Sequence, residues 1–172
     1  MSGGGHSPLP ALAATELMAS GAADEHVAMV RRTLGARSAA LRRALVDEGV
    51  VVDGRRSGGG GGGEMEMDVP RGGYFAWLRL REPRDEAWWA ELGGALERES
   101  VTVTPGRRCV FGVGDEHSSS SSSSSSWASR ALESAAAARQ SLRLSFAKVT
   151  ERECAEGARR LARALQSVVV RR

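Results

Sequence analysis

Apolar residues recur at the spacing of an amphipathic helix in three parts of the chain, and a shorter helical stretch precedes them. The longest predicted helix begins at Asp24, a suitable N-cap, and ends at about residue 48, before Gly49. Its apolar positions are Val27, Val30, Leu34, Leu41 and Leu45. The other predicted helices cover about residues 9–19, residues 85–98 and a segment after Thr150, where Thr150 and Glu153 form a predicted capping box. Core positions in the last two are Trp88, Trp89, Leu92 and Leu96, and then Cys154, Ala158, Leu161, Leu165 and Val168.

Residues 141–146 alternate strictly between polar and apolar side chains, as a β-strand with one buried face does. Residues 74–80 predict an aromatic-rich strand after a turn at 70–73, and residues 101–104 predict a short strand ended by Pro105 and Gly106. Residues 50–52 are expected to be extended. The order of these elements predicts an α+β fold: a small, mainly antiparallel sheet with long amphipathic helices packed on it.

Two single-residue runs interrupt this pattern, six glycines at 58–63 and nine serines at 118–126. Neither run can bury apolar surface, so roughly 130 residues remain for a core, which suits one domain. We expect a linker and short helix over residues 1–23. One domain is expected over residues 24–172, with low-complexity insertions at about 53–64 and 114–139.

Charge and composition narrow the classes of partner. The 24 basic residues face 21 acidic ones, and the arginine pairs are scattered over several elements, which argues against a nucleic-acid partner. No apolar stretch is long enough for a membrane span, and the N-terminus has no secretion signal. We therefore expect a soluble intracellular protein, with the cytoplasm favoured, unless a targeting signal has been lost with the N-terminus.

Metal and thiol chemistry have little support in the sequence. His6, His26 and His117 have no metal-ligand spacing with each other or with the two cysteines. Cys109 and Cys154 are expected to be reduced thiols rather than a disulfide. The glycine run lacks the Gly-Lys-Ser/Thr sequence of a phosphate loop, so it is not expected to bind a phosphate group. We expect neither metal-binding nor cofactor-binding residues in this chain.

Arg143 is the residue that most strongly indicates chemistry. It stands in mid-strand on the polar face, between Leu142 and Leu144, where a guanidinium requires an anion or open water. Its planar donors suit a carboxylate, which they can hold with two parallel hydrogen bonds. The alternative is an arginine extended over a solvated sheet face. The pattern alone leaves both interpretations open.

Four ordered motifs resemble the C-terminal small domain of class I/II (fold type I) pyridoxal-phosphate aminotransferases. They are the linker and helix start at 2–5 and 21–26, the strand at 70–80, the strand and Pro-Gly turn at 101–106, and the strand and helix from 142 to 165. The chain is most similar to the branch that contains 2-aminoadipate and valine–pyruvate transaminases. The resemblance implies that Arg143 binds the substrate α-carboxylate and that Tyr74 and Phe75 lie near the substrate, although at least one of these two rings is expected to pack in the core.

The same resemblance implies pyridoxal phosphate as the cofactor, an amino acid and a 2-oxo acid as substrates, and a homodimer for the intact enzyme. Lys148, the only lysine, follows the closing strand, at the wrong position for the Schiff-base lysine. That lysine and the cofactor's other ligands would precede Met1, so no catalytic or cofactor-binding residue is expected in this chain, which would be inactive alone. The alternative is a non-catalytic, degenerate domain that acts as a binding or interaction module.

Overall fold

The computed structural model describes residues 8–52, 63–110, 133 and 135–169. The serine run, most of the glycine run, His6 and His117 lie outside these residues. The helices are α1 (Pro8–Ala19), α2 (Ala22–Asp47), α3 (Glu86–Arg98), α4 (described over 135–139) and α5 (Glu151–Val169), with a 3₁₀ turn at Gly106–Cys109. The strands are β1 (Met65–Met67), β2 (Phe75–Leu80), β3 (Thr104–Pro105) and β4 (Ser141–Ser145).

The four strands form one sheet in the order β1-β2-β4-β3, with antiparallel neighbours throughout. Alternate residues of β2 and β4 share a core with α2, α3 and α5; from the sheet these are Ala76, Leu78, Leu80, Leu142 and Leu144. Helix α5 packs against both α2 and α3. The predicted α+β fold, with long helices on a small antiparallel sheet, is confirmed.

The capping box that opens α5 is confirmed by its hydrogen bonds. The Thr150 backbone N–H donates to Glu153 Oε2 at 2.7 Å, and the Glu153 N–H donates to Thr150 Oγ1 at 3.2 Å. All five apolar positions predicted for one face of this helix are buried. The helix thus begins and packs as its sequence predicts.

The predicted start of α2 is wrong by a few residues. The helix begins at Ala22, because Gly21 adopts a left-handed φ of 78° and its carbonyl accepts the N–H of Glu25. Asp24 therefore lies inside the first turn rather than at the N-cap. Val27 is exposed, and only Leu41 and Leu45 of the predicted apolar positions are fully buried.

The strand predicted at 101–104 is also mostly wrong. Only Thr104 and Pro105 pair with β4, and the 3₁₀ turn follows them at once. The Val101 N–H donates instead to the Leu96 carbonyl, at 2.9 Å, so this donor completes the end of α3 rather than a sheet ladder. Strand β1, by contrast, has no counterpart among the predicted elements, although Met65 is fully buried.

Both cysteines carry free thiols, as expected, and Cys154 is buried. Burial is the main cause that raises the pKa of the Cys154 thiol. Across the described part of the chain, no helix combines the length and the apolar character needed to cross a membrane.

Candidate functional site

One face of the sheet packs against α2, α3 and α5, and the other face points away from these three helices. This second side, the outer face, carries Phe75, Trp77, Arg79, Thr104, Ser141, Arg143 and Ser145. The described end of helix α4 lies against one end of it, where Ser141 Oγ donates to the Ala138 carbonyl at 2.7 Å and is buried. At the other end Ser145 is exposed, so the outer face is open there.

Arg143 stands at the centre of the outer face. Its strand, β4, lies between β2 and β3, and Arg143 pairs in register with Trp77 on one side and Thr104 on the other. The side chain is half-buried, and its Nε is buried without a hydrogen-bond partner among the residues described. A buried donor without an acceptor is costly, so this guanidinium is suited to an incoming anion. The predicted location of Arg143 on the polar side of the strand is confirmed; its binding role stays a prediction.

The second cation of the outer face, Arg79, already has an ion-pair partner. Arg79 Nη2 donates to Asp68 Oδ2 at 3.0 Å, and Glu66 pairs with Arg79 in register on β1. Asp68 and Arg79, with Trp77 and Ser141, border a cavity of about 220 Å³. The negative charges of this face, as far as the structure describes it, therefore lie on its β1 side, away from β3, and leave Arg143 as the cation available to a ligand.

Tyr74 and Phe75 both lie at the open end, just after the turn in which Gly73 has a φ of 82°. Tyr74 is 52% exposed and Phe75 is 41% exposed, so the expectation that one of them packs in the core is wrong. The reason is the register: Ala76, not its neighbours, takes the first core position of β2. Both rings border a cavity of about 320 Å³ together with Trp77, Pro70 and Asp68.

Phe75 makes a contact that the sequence analysis missed. The Cζ atom of Arg143 lies over the Phe75 ring, 4.2 Å from its centroid. Phe75 pairs in register with Ser145, which makes it the diagonal neighbour of Arg143 on the outer face. Only the strand register reveals this relationship, and the alternation of each strand by itself does not.

Larger cavities lie away from Arg143. One of about 470 Å³ lies between residues 100–103 and α5, and its lining is mainly apolar. Of its three charged residues, Glu156 and Arg160 pair with each other at 2.8 Å, and Glu153 accepts from Thr150. Among the residues described, no three His, Cys, Asp or Glu side chains are grouped closely enough to hold a metal ion. The outer face is therefore the candidate functional site.

No family model and no curated protein matches the chain. Several solved structures are similar to it. LysN, the α-aminoadipate aminotransferase of Thermus thermophilus, is 25% identical over 91% of this chain, with a TM-score of 0.60. The multiple substrate aminotransferase of Thermococcus profundus is 20% identical over 91%, with a TM-score of 0.58, and the kynurenine aminotransferase of Pyrococcus horikoshii is 19% identical over 88%, with a TM-score of 0.55.

The chain spans only 30%, 30% and 28% of the lengths of these three proteins. Within that span the matches confirm the expected resemblance to pyridoxal-phosphate aminotransferases, and they agree with the fold of the C-terminal domain of such enzymes. LysN was solved in complex with N-(5'-phosphopyridoxyl)-L-leucine.

Proposed function

We propose that the chain is the C-terminal domain of a pyridoxal-phosphate-dependent aminotransferase that acts on an amino acid and a 2-oxo acid, and that Arg143 binds the α-carboxylate shared by both substrates. The observation that carries this proposal is the half-buried guanidinium of Arg143 at the centre of the outer face, which has no carboxylate partner among the described residues. The aminotransferases that resemble the chain support the reaction class.

The geometry of Arg143 suits this role. A carboxylate that approaches the end of the guanidinium can accept from its two terminal nitrogens in two parallel, charge-assisted hydrogen bonds. Phe75 covers one side of the group, so the carboxylate is directed to that end. Since Arg79 is occupied by Asp68, a monocarboxylate is expected to bind at Arg143 rather than at Arg79.

The residues of this chain do not fit the cofactor itself. A lysine that forms a Schiff base is activated by desolvation or by a neighbouring cation. Lys148, however, is exposed in the bend after β4. Pyridoxal phosphate, when bound, supplies the electron sink of transamination. The proposal places that chemistry in other parts of the intact enzyme and makes this chain inactive alone.

A carboxylate titration tests the binding role. The full chain, labelled with ¹⁵N, is titrated with pyruvate while the Arg143 Nε–H and Trp77 indole signals are followed. Arg143→Ala is expected to weaken binding about 10- to 150-fold, equivalent to about 1.5–3 kcal/mol for a hydrogen bond to a charged group. Arg79→Ala, on the same face, is the matched control, and at high ionic strength it should change the affinity less than about twofold. Equal affinity in wild type and Arg143→Ala would refute the assignment.

A second assay tests the absence of independent catalysis. The chain is mixed with pyridoxal phosphate, an amino acid and a 2-oxo acid, and the product amino acid is measured. We expect no turnover, and turnover that is abolished by Lys148→Ala would contradict the proposal.

The alternative function, a non-catalytic binding module, is favoured by one observation, the exposure of the only lysine. It predicts the same carboxylate binding. The reading frame upstream of Met1 separates the two: an in-frame Ser-x-x-Lys segment followed by a Pro-Gly-x-Arg turn supports the enzyme, and a transcript that starts at Met1 supports the module.

A further inference from the structure

The side chain of Arg143 has two neighbours on β2 that lie diagonally across the strand pair. The register places Phe75 on one diagonal and Arg79 on the other, with Trp77 directly opposite. The guanidinium extends towards Phe75, and its Cζ lies 4.2 Å from the ring centroid. The direction of the Arg143 side chain along the sheet is thus determined by an aromatic ring on one diagonal and a like charge on the other.

From this arrangement we infer that Phe75 is a positioning residue for Arg143: its ring holds the guanidinium towards the open end of the outer face and presents the terminal nitrogens to a carboxylate. The consequence for binding rests on the proposed function. The positional part rests on the contact alone and can be tested without a ligand.

Electrostatics favour this direction. The face of an aromatic ring carries partial negative charge and attracts a cation above it. Arg79 repels the guanidinium from the other diagonal, and its partner Asp68 only partly offsets that repulsion because both side chains are largely exposed. Arg143 therefore prefers the Phe75 side, where Ser145 leaves the surface open.

The ring has no comparable structural role. Phe75 is 41% exposed and does not belong to the core cluster, to which its neighbour Ala76 contributes instead. Replacing the ring with another apolar side chain should leave the fold intact. An effect of such a change on ligand binding would then report on Arg143 rather than on unfolding.

Loss of the ring has two expected consequences. The long arginine side chain would regain rotamer freedom, which must be lost again when a carboxylate binds. Water would also reach the side of the guanidinium that the ring covers, and the bound charge pair would be better screened. Both effects weaken carboxylate binding while the charge of Arg143 is unchanged.

The positional part is tested by NMR on the full chain with ¹⁵N-labelled arginine. Arg143→Lys identifies the Arg143 Nε–H signal by its disappearance. In wild type this signal is expected upfield of the other arginines because it lies in the ring current of Phe75. Phe75→Leu should remove that displacement and Phe75→Tyr should keep it. Arg84, whose Cζ lies 5.8 Å from the Trp88 ring centroid, is the internal control, and its signal should not move in either variant.

The binding part uses pyruvate as the probe on the same samples. Phe75→Leu is expected to weaken affinity about three- to tenfold, the range of a cation–π contact near a surface, and Phe75→Tyr should restore it. Unchanged melting temperatures exclude a structural cause.

The two proposals fail in different ways. An unchanged Arg143 signal in Phe75→Leu, or an unchanged pyruvate affinity in a chain that does bind pyruvate, overturns the positioning role and leaves the proposed function standing. Absence of pyruvate binding in wild type overturns the proposed function, and the ring-current result then decides by itself whether Phe75 positions Arg143.

Discussion

Arg79 donates to Asp68 across 3.0 Å, whereas Arg143, its diagonal neighbour on the same sheet face, has a buried Nε with no acceptor among the described residues. The two arginines share a strand pair and a side of the sheet, yet of the two only Arg143 has no carboxylate partner among the described residues. Asp68 therefore determines which arginine is available, although it lies outside both strands. This relationship leads to the first prediction.

Asp68→Asn keeps an oxygen acceptor for Arg79 but removes one negative charge from the outer face. We expect pyruvate to bind about two- to fivefold more tightly at low ionic strength, because a second cation then contributes to the local potential. The gain should vanish at high salt, since Asp68 and Arg79 are exposed. Glu66→Gln, which removes a charge 3.8 Å from Arg81, is the control and should have a smaller effect. A gain that does not depend on salt would contradict this explanation.

Arg143→Lys separates charge from donor geometry. The ammonium keeps the positive charge but cannot make two parallel hydrogen bonds to one carboxylate. We expect an affinity between those of wild type and Arg143→Ala, with a loss of about 1 kcal/mol relative to wild type for one hydrogen bond. Calorimetric titration with pyruvate measures it. Wild-type affinity in the lysine variant would show that the site recognises charge alone.

The sequence predicts best those elements that have a long periodic pattern of apolar residues and a recognisable capping sequence at their start. Helix α5 has both, the Thr150–Glu153 box and five apolar positions in phase, and the structure confirms them. Strand β4 is also confirmed. Polar and apolar residues alternate strictly over 141–145, so only one face of the strand can be buried. The polar side of this strand, and with it the location of Arg143, could therefore be predicted.

Other features depend on which strands pair, and a single strand's pattern does not contain that information. Val101 and Val103 have the residue types of a strand, but the Val101 N–H closes α3. The contact of Phe75 with Arg143 follows from the register of β2 with β4. The pairing of Asp68 with Arg79 follows from the reversal of the chain between β1 and β2. The sequence could indicate Arg143 as a candidate anion-binding residue, but not what surrounds it.

Core packing gives a test with a matched control. Leu45 on α2 is 0% exposed, and Leu12 on α1 is 68% exposed. Leu45→Ala should lower the free energy of unfolding by about 2–5 kcal/mol, because it removes buried methyl groups and leaves a cavity. Leu12→Ala should change it by less than about 0.5 kcal/mol. Urea denaturation measures both, and similar losses would show that the side chain of Leu12 is buried in solution, through self-association for example.

Gly106 packs closely against the end of α4 and the first residue of β4. A Cβ atom at this position would collide with the Ala138 carbonyl oxygen and the Ser141 hydroxyl, which are already hydrogen-bonded to each other. Gly106→Ala is therefore expected to destabilise the chain by about 1–3 kcal/mol and to displace α4 from the outer face. Gly93→Ala in α3, where nothing lies near the added atom, should instead stabilise it by about 1 kcal/mol. Thermal unfolding distinguishes the two signs, and stabilisation by both would refute the close packing at Gly106.

The capping box predicts how stability depends on pH. Hydrogen bonds from the Thr150 backbone N–H, and next from its hydroxyl, lower the pKa of Glu153 below the ordinary value of 4.5. A carboxyl with a depressed pKa in the folded state contributes stability that is fully present above the unfolded pKa. This contribution is lost as the pH falls through the folded pKa.

Glu153→Gln keeps an acceptor for Thr150 but removes the charge. The wild type should therefore be more stable than this variant at neutral pH, and the difference should shrink below pH 4.5 and disappear at the acid end. Glu151→Gln removes a charge from the same first turn without removing a capping contact, so it measures the helix-dipole contribution alone. Urea denaturation at several pH values gives the three curves. A gap between wild type and Glu153→Gln that persists at the acid end, or that equals the gap for Glu151→Gln at every pH, would mean that the ionised carboxylate is not the group that caps α5.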